Sequence, residues 1–113
     1  MRLSKNNVET DTSIFVKLDS LLLKLNVDDI LWIEAFGDYI KIQTHDKMHT
    51  VYSTIKKIEE KLSGKKFVRV HRSFIVNISQ ITNVSLTNLE INKRIIPISE
   101  TYKEALLQRL SIL

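Results

Sequence analysis

The sequence contains no cysteine, only one proline and only two glycines. The absence of cysteine excludes a disulfide framework, a thiolate metal site and a cysteine nucleophile. No apolar run approaches the ~20 residues that a membrane-spanning helix requires, and the first residues are too polar for a signal peptide. The scarcity of glycine and proline means that turns must be formed largely by Asn, Asp, Ser and Thr. These absences predict a soluble cytoplasmic protein.

Charge is unevenly distributed along the 113 residues, a length that predicts one domain. Residues 1–40 carry a net charge of −3, whereas residues 41–113 carry +7. The 29 residues from 61 to 89 contain no Asp or Glu but five Lys or Arg. A local positive field attracts polyanions whatever the total charge of the chain. The alternative interpretation of this window is a solvated basic face without a partner.

Apolar residues recur mostly at the spacing typical of β-strands. We predict strands at residues 14–18, 21–25, 30–36, 39–44, 48–52, 67–70, 74–76, 81–86, 89–91 and 95–98. The segment 30–36 is too apolar to have one solvent-facing side, so we expect it to be central. Pro97 cannot donate a backbone hydrogen bond, which predicts an edge strand or a strand end there. The fold class is therefore mainly β, an elongated arrangement of about ten short antiparallel strands in small sheets.

Helical spacing is present in two places, one in the middle of the chain and one at its end. In the first, Ser53 is the predicted N-cap and Gly64 the stop signal, with Glu59 and Glu60 on the outer face among lysines. In the second, Ser99 is the predicted N-cap of a short C-terminal helix. The residues predicted to point inward are Ile55, Ile58 and Leu62 in the middle helix, and Tyr102, Leu106, Leu107 and Leu110 in the terminal one.

Patterns associated with catalysis or metal binding are weak. His45 and His49 flank the predicted turn Asp46-Lys47, and two imidazoles provide only half of a zinc site. Exposed hairpin residues are the alternative interpretation of this pair. No nucleophile elbow, P-loop, dinucleotide-binding glycine motif or H-E-x-x-H string occurs. We therefore predict no enzymatic activity, no metal site and no cofactor.

The segment FVRVHRSFIVN, residues 67–77, is the most distinctive in the chain. It reads as two strands joined by His71-Arg72-Ser73, inside the window that lacks acidic residues. Arginine suits bidentate contacts with guanine edges or phosphates, and a serine or a backbone N–H can hold a phosphate. In the alternative interpretation His71 satisfies a buried carbonyl and Arg72 is merely solvated.

Three segments together resemble the LytTR (LytR/AlgR-type) DNA-binding domain of bacterial transcription regulators. They are residues 28–44, 67–77 and 95–106, and the resemblance extends from about residue 14 to residue 110. It implies a mostly β fold whose loops, rather than a recognition helix, enter successive major grooves of duplex DNA. It also implies a regulator of the two-component response regulator type, in which an N-terminal receiver domain usually precedes the DNA-binding domain.

The resemblance implies three DNA-facing loops. Its candidate residues are Asp38, Tyr39 and Lys41 in the first loop, Arg69, His71, Arg72 and Ser73 in the second, and Glu100, Thr101 and Lys103 in the third. Arg72 is the first choice for a base or groove contact, and Lys41, Arg69, Ser73 and Lys103 are phosphate candidates. His71 either contacts DNA or orients its loop. Relatives commonly carry arginine where this chain has Glu100, and that carboxylate equally suits the first turn of a helix.

Residues 1–13 are predicted to be a linker or frayed end, and residues 14–113 the DNA-binding domain. We expect an excised effector domain, with a stand-alone regulator as the alternative. The resemblance is also compatible with cooperative pairing on repeated DNA sites. A competing function is a protein-interaction module that regulates another transcription factor without binding DNA itself. RNA binding has less support, because paired exposed aromatic residues on adjacent strands are not evident.

Overall fold

The computed structural model describes residues 13–62, 64 and 66–113. These residues form ten strands and two α-helices. In chain order the elements are β1 (Ser13–Leu18), β2 (Leu21–Asn26), β3 (Ile30–Phe36), β4 (Tyr39–Thr44), β5 (Met48–Tyr52), α1 (Ile55–Lys61), β6 (Phe67–His71), β7 (Phe74–Asn77), β8 (Asn83–Val84), β9 (Asn88–Ile91), β10 (Arg94–Pro97) and α2 (Glu100–Arg109). Most of the predicted linker, residues 1–12, lies outside the described residues, and Ser13 already begins β1.

The strands form three antiparallel sheets. The largest has five strands in the order β5-β4-β3-β7-β6, so β3 is central as predicted. The hairpin β1-β2 is a separate two-stranded sheet, and β10-β9-β8 form a three-stranded sheet. Pro97 lies in β10, an edge strand, where a missing N–H breaks no ladder. The prediction of a mainly β fold of small antiparallel sheets is confirmed.

The five-stranded sheet separates two hydrophobic cores. On one face, Ile30 and Ile33 of β3 pack with Ile40 and Ile42 of β4, with Ile58 of α1 and with the β1-β2 hairpin. Trp32, on the opposite face, packs with residues of the three-stranded sheet and with α2. Burial on both faces explains why β3 lacks the polar alternation of a one-sided strand.

The middle helix differs from its prediction at two positions. Its N-cap is Thr54 rather than Ser53, because the Thr54 hydroxyl accepts a hydrogen bond from the Lys57 N–H at 3.1 Å. Glu59 is not on a solvated outer face, since its carboxylate pairs with Arg69 on β6. Gly64 follows the helix with a φ of +80°, as expected for a glycine that terminates a helix.

Two C-terminal predictions need correction. In the segment 81–86 only Asn83 and Val84 form a strand. Leu107 is 40% exposed rather than inward, while Leu106 is fully buried. Ser99 does occupy the N-cap position of α2, but its side chain makes no capping hydrogen bond.

None of the described helices is long and apolar enough to cross a membrane.

Candidate nucleic-acid interface

The topology of the five-stranded sheet brings the first two predicted loops to one edge. Glu34 of β3 pairs with Lys41 of β4 on one side and with Phe74 of β7 on the other. Because both pairings are antiparallel, the turn after β3 and the turn before β7 lie at the same end of the strands. The Ala35 N–H donates to the Ser73 carbonyl at 2.8 Å, which fastens one loop to the other.

The third predicted loop joins this edge because α2 lies along β6. The Ser99 N–H donates to the Val70 carbonyl at 2.9 Å, and the Arg109 guanidinium donates to the Phe67 carbonyl at 3.1 Å. The helix therefore begins where β6 ends and runs back along that strand. Its first turn consequently lies beside the loop 71–73. These three loops, residues 36–41, 71–73 and 99–103, form a row at one end of the strands. We call this row the loop edge.

Arg69 holds the middle loop from within the protein. Its Nε donates to the His71 carbonyl at 3.3 Å, and its Nη2 donates to the Arg72 carbonyl at 2.6 Å. Its Nη1 lies 3.0 Å from Oε1 of Glu59, and the guanidinium carbon lies 5.6 Å from the centre of the Tyr102 ring. In this structure the Arg69 guanidinium donates its hydrogen bonds to groups of the protein itself. Its contact with a DNA phosphate stays a prediction.

His71 also takes part in the geometry of the loop. Its Nδ1 accepts a hydrogen bond from the Ser73 N–H at 3.0 Å, and its ring packs edge-on against Phe74 at 5.8 Å. These contacts favour the orienting role of His71 over a direct DNA contact, and both roles stay predictions. Both backbone groups of Ser73 are therefore engaged, since its N–H donates to His71 and its carbonyl accepts from the Ala35 N–H.

Arg72 differs from its neighbours because its side chain is exposed. Its carbonyl is held by Arg69, but its guanidinium makes no hydrogen bond or ion pair with the described residues. The loop therefore presents an exposed planar cation on a backbone fixed at several points. This combination suits recognition of a base edge or a phosphate.

The first loop combines exposed aromatic rings with a cation. Asp38 is exposed in the turn, where Gly37 adopts a φ of +62°. Tyr39 packs edge-on against Tyr52 of the adjacent strand β5 with a centroid distance of 5.4 Å, and both rings are exposed, so the structure contains a pair of exposed aromatic residues that the sequence pattern did not reveal. The Lys41 ammonium lies 3.8 Å from the centre of the exposed Phe36 ring. The ring holds the cation at the surface of the loop edge without neutralising it.

The third loop presents charges of both signs at the start of α2. Glu100 is 91% exposed, and its Oε1 lies 3.7 Å from Nζ of Lys103. Thr101 is exposed between them. Glu100 lies in the first turn, where the helix dipole favours a carboxylate by about 0.3–1 kcal/mol. Its position is therefore explained without a nucleic-acid contact.

Arg94 is a cation near the loop edge that the sequence analysis did not identify. Its guanidinium lies over the rings of Trp32 and Phe74, at 5.3 and 5.8 Å, and 3.6 Å from a carboxylate oxygen of Glu34. It follows the Asn92-Lys93 turn, in which both residues have positive φ. The sequence signal that could have identified Arg94 is the pair of adjacent cations, Lys93 and Arg94, directly before the segment 95–106 that resembles the LytTR family.

The two histidines of the β4-β5 hairpin have different surroundings. His49 is buried, and desolvation, followed by the nearby Lys47 charge, lowers its pKa from the ordinary value of 6.5. His49 is therefore not the exposed hairpin residue that the alternative interpretation assumed. His45 is half-exposed, and its Nδ1 lies 3.9 Å from a carboxylate oxygen of Asp29. Within residues 13–62, 64 and 66–113, no group of three or more His, Cys, Asp or Glu is arranged to hold a metal.

Comparison with known proteins identifies the family. The sequence profile of the LytTr DNA-binding domain matches residues 20–111. The chain belongs to the LytTR family. The LytTR match covers all three loops of the loop edge, from residue 36 to residue 103. The family is defined by DNA binding and is not an enzyme family.

Several longer Bacillus proteins are similar to this chain over part of their length. The sensory transduction protein LytT of Bacillus cereus is 30% identical over 84% of this chain and 41% of its own length. LytT of Bacillus subtilis (strain 168) is 30% identical over 98% of the chain and 52% of its length. The transcriptional regulatory protein NatR of Bacillus subtilis is 35% identical over 74% and 37%, respectively. The chain therefore spans about half, or less, of these relatives.

A solved LytTR structure has the same fold. It is the LytTr DNA-binding domain of a Bacillus cereus protein described as a methyl-accepting/DNA response regulator. The two structures match with a TM-score of 0.75 over 90% of this chain and 99% of the other, at 19% sequence identity. This likeness supports the arrangement of strands that positions the loop edge.

Proposed function

We propose that this LytTR domain binds double-stranded DNA sequence-specifically through the loop edge, with loops entering successive major grooves. The observation that carries the proposal is the convergence of three loops on one edge around the exposed guanidinium of Arg72. The longest dimension of the molecule, 43 Å, exceeds the ~34 Å that separates successive turns of the major groove. The size of the domain is therefore compatible with contacts in two successive grooves.

The side chains of the loop edge take different roles in this proposal. Arg72 reads or clamps the groove, because it is exposed on a fixed backbone. Lys41 and Lys103 contact phosphates, and Arg94 adds a further cation. Arg69 acts by holding the middle loop. The remaining contacts, to bases or phosphates, fall to Asp38, Tyr39, His71, Ser73 and Thr101, with Glu100 chiefly a helix-start residue.

The domain acts, in this proposal, as the effector part of a cytoplasmic transcriptional regulator. The relatives named for sensory transduction and transcriptional regulation are about twice as long or more, which supports an N-terminal receiver domain in the full regulator. Cooperative pairing of two copies on repeated DNA sites is part of the same proposal. No catalytic step is required, because DNA binding itself is the output.

The salt dependence of duplex binding tests the proposal. If about four to six phosphates are contacted, log K falls against log salt with a slope of about −4 to −5. The measurement is a titration of random duplex DNA at several salt concentrations. A slope shallower than about −1 would contradict phosphate contacts and favour the protein-interaction module.

Arg72→Ala tests the role of the middle loop. A cognate site is first obtained by selecting bound sequences from a random duplex pool. Truncation of Arg72 should then weaken cognate binding by about 1–3 kcal/mol with the fold intact. The control, Lys103→Ala, should weaken cognate and scrambled duplex about equally. A sharply lower Tm with unchanged affinity per folded molecule would show that Arg72 is structural.

A further inference from the structure

Glu59 lies behind the loop edge, on α1, and contacts the residue that holds the middle loop. One oxygen of its half-exposed carboxylate lies 3.0 Å from Nη1 of Arg69, whose side chain is only 18% exposed. The same guanidinium donates from Nε to the His71 carbonyl and from Nη2 to the Arg72 carbonyl. A single planar group thus joins the helix to the backbone that carries Arg72.

We propose that Glu59 is a positioning residue for sequence-specific DNA binding. Its carboxylate fixes the rotation of the Arg69 guanidinium, because the donors of an arginine are arranged in a rigid fork. The orientation of that fork determines where the carbonyls of His71 and Arg72 are held, and therefore the direction in which the Arg72 side chain leaves the loop. The inference rests on the proposed DNA-binding function and extends it to a residue outside the loop edge.

The carboxylate should also keep Arg69 from leaving the loop. A phosphate group competes for the donors of a guanidinium as strongly as a carboxylate does. With Glu59 in place, Arg69 is already neutralised and stays bound to the two carbonyls. A loop fixed before binding loses less conformational freedom when DNA arrives, which improves affinity for the matching site.

The sign of the charge makes this proposal testable. Removing a negative charge from a DNA-binding protein should strengthen its attraction to phosphates. If Glu59 positions the loop, its removal should instead weaken binding to the cognate site. Charge and positioning therefore predict changes in opposite directions.

The experiment compares Glu59→Gln with Glu60→Gln in the same chain. Glu60 is the next residue of α1, is exposed and makes no ion pair with the described residues, so both variants remove one negative charge from one helix. We expect Glu60→Gln to leave binding unchanged or slightly stronger on cognate and scrambled duplex alike. Glu59→Gln should weaken cognate binding by about 3- to 30-fold, leave scrambled binding nearly unchanged and keep the salt slope.

A charge-preserving variant provides the second measurement. Arg69→Lys keeps the cation but replaces the planar fork with a point charge that cannot serve all three acceptors. It should reduce discrimination between cognate and scrambled duplex as Glu59→Gln does, and the double variant should lose little more than either single one. Thermal melts of each variant normalise affinity to the folded fraction.

The possible results separate the inference from the function on which it rests. Failure of the unaltered protein to bind any duplex with salt dependence overturns both. Normal binding by the unaltered protein, together with identical behaviour of Glu59→Gln and Glu60→Gln, overturns the positioning role alone. Equal weakening of cognate and scrambled duplex by Glu59→Gln also overturns it, because a positioning residue must change discrimination.

Discussion

Asn77→Ala should destabilise the domain strongly. Asn77 belongs to the segment 67–77 that the sequence analysis associated with DNA recognition, but its contacts are structural. The side chain is 1% exposed, and its Nδ2 donates to the Ile30 carbonyl at 2.9 Å, joining the end of β7 to the start of β3. Its Oδ1 accepts from the Ser79 N–H and hydroxyl at 3.0 and 2.8 Å. Asn77 is therefore a structural connection between central strands.

The magnitude follows from what each lost hydrogen bond leaves behind. The Ile30 carbonyl belongs to a fully buried residue, so losing its donor should cost about 1–3 kcal/mol. Ser79 is exposed, and water can replace the bonds that it loses, at a cost of about 0.5–1 kcal/mol. The sum is about 1.5–4 kcal/mol, which for a domain of this size lowers Tm by roughly 6–16 °C.

Urea denaturation followed by fluorescence measures this change. Trp32 is the only tryptophan and is buried in one of the two cores, so its emission reports unfolding. The control is Asn83→Ala, which removes an exposed hydrogen bond from Asn83 Nδ2 to Glu90 and should change stability by less than about 0.5 kcal/mol. Similar small losses in both variants, or weaker DNA binding by folded Asn77→Ala, would refute the structural assignment.

Three further predictions concern helix caps, pH and the third loop. Thr54→Ala should cost about 0.5–2 kcal/mol in urea denaturation, whereas Ser99→Ala should be neutral or stabilising, since the Ser99 hydroxyl is buried without a hydrogen-bond partner in the described chain. Because burial lowers the pKa of His49, the unfolded chain binds a proton at this imidazole more readily than the folded domain does. The free energy of unfolding should therefore fall as pH drops below about 6.5, and His49→Gln should flatten this pH profile. An unchanged profile would contradict the burial effect. Glu100→Arg should tighten cognate and scrambled duplex about equally in binding titrations, and a selective loss on the cognate site would show that Glu100 reads a base.

Much of the fold was predictable because it depends on local patterns. The mostly apolar sequence of β3 indicated a strand buried on both faces, and the structure places it at the centre of the sheet. The short gaps between predicted strands at residues 19–20, 37–38 and 92–94 coincide with hairpin turns of the structure, where Asp19, Asn92 and Lys93 adopt positive φ. The burial of His49 was also available from the sequence, since it alternates with the inward-facing Val51.

The remaining features depend on tertiary packing. Ser53 and Thr54 are both competent N-caps, and only the path of the chain into α1 selects Thr54. The partner of Glu59 lies ten residues away on another element, so helical spacing alone placed it on the solvated face. Arg94 reaches Glu34 across two sheets, and no local pattern records that approach. The DNA-contact roles of the loop residues stay predictions.

The hydrogen bonds that fasten the loop edge have a consequence for how this domain can diversify. The bonds from Ala35 to Ser73 and from Ser99 to Val70 join backbone atoms, so they do not depend on which side chains the loops carry. Exposed positions such as 38, 72 and 101 can therefore change identity while the backbone beneath them keeps its shape. New target preferences should arise through single substitutions at these positions, with little loss of stability along the way.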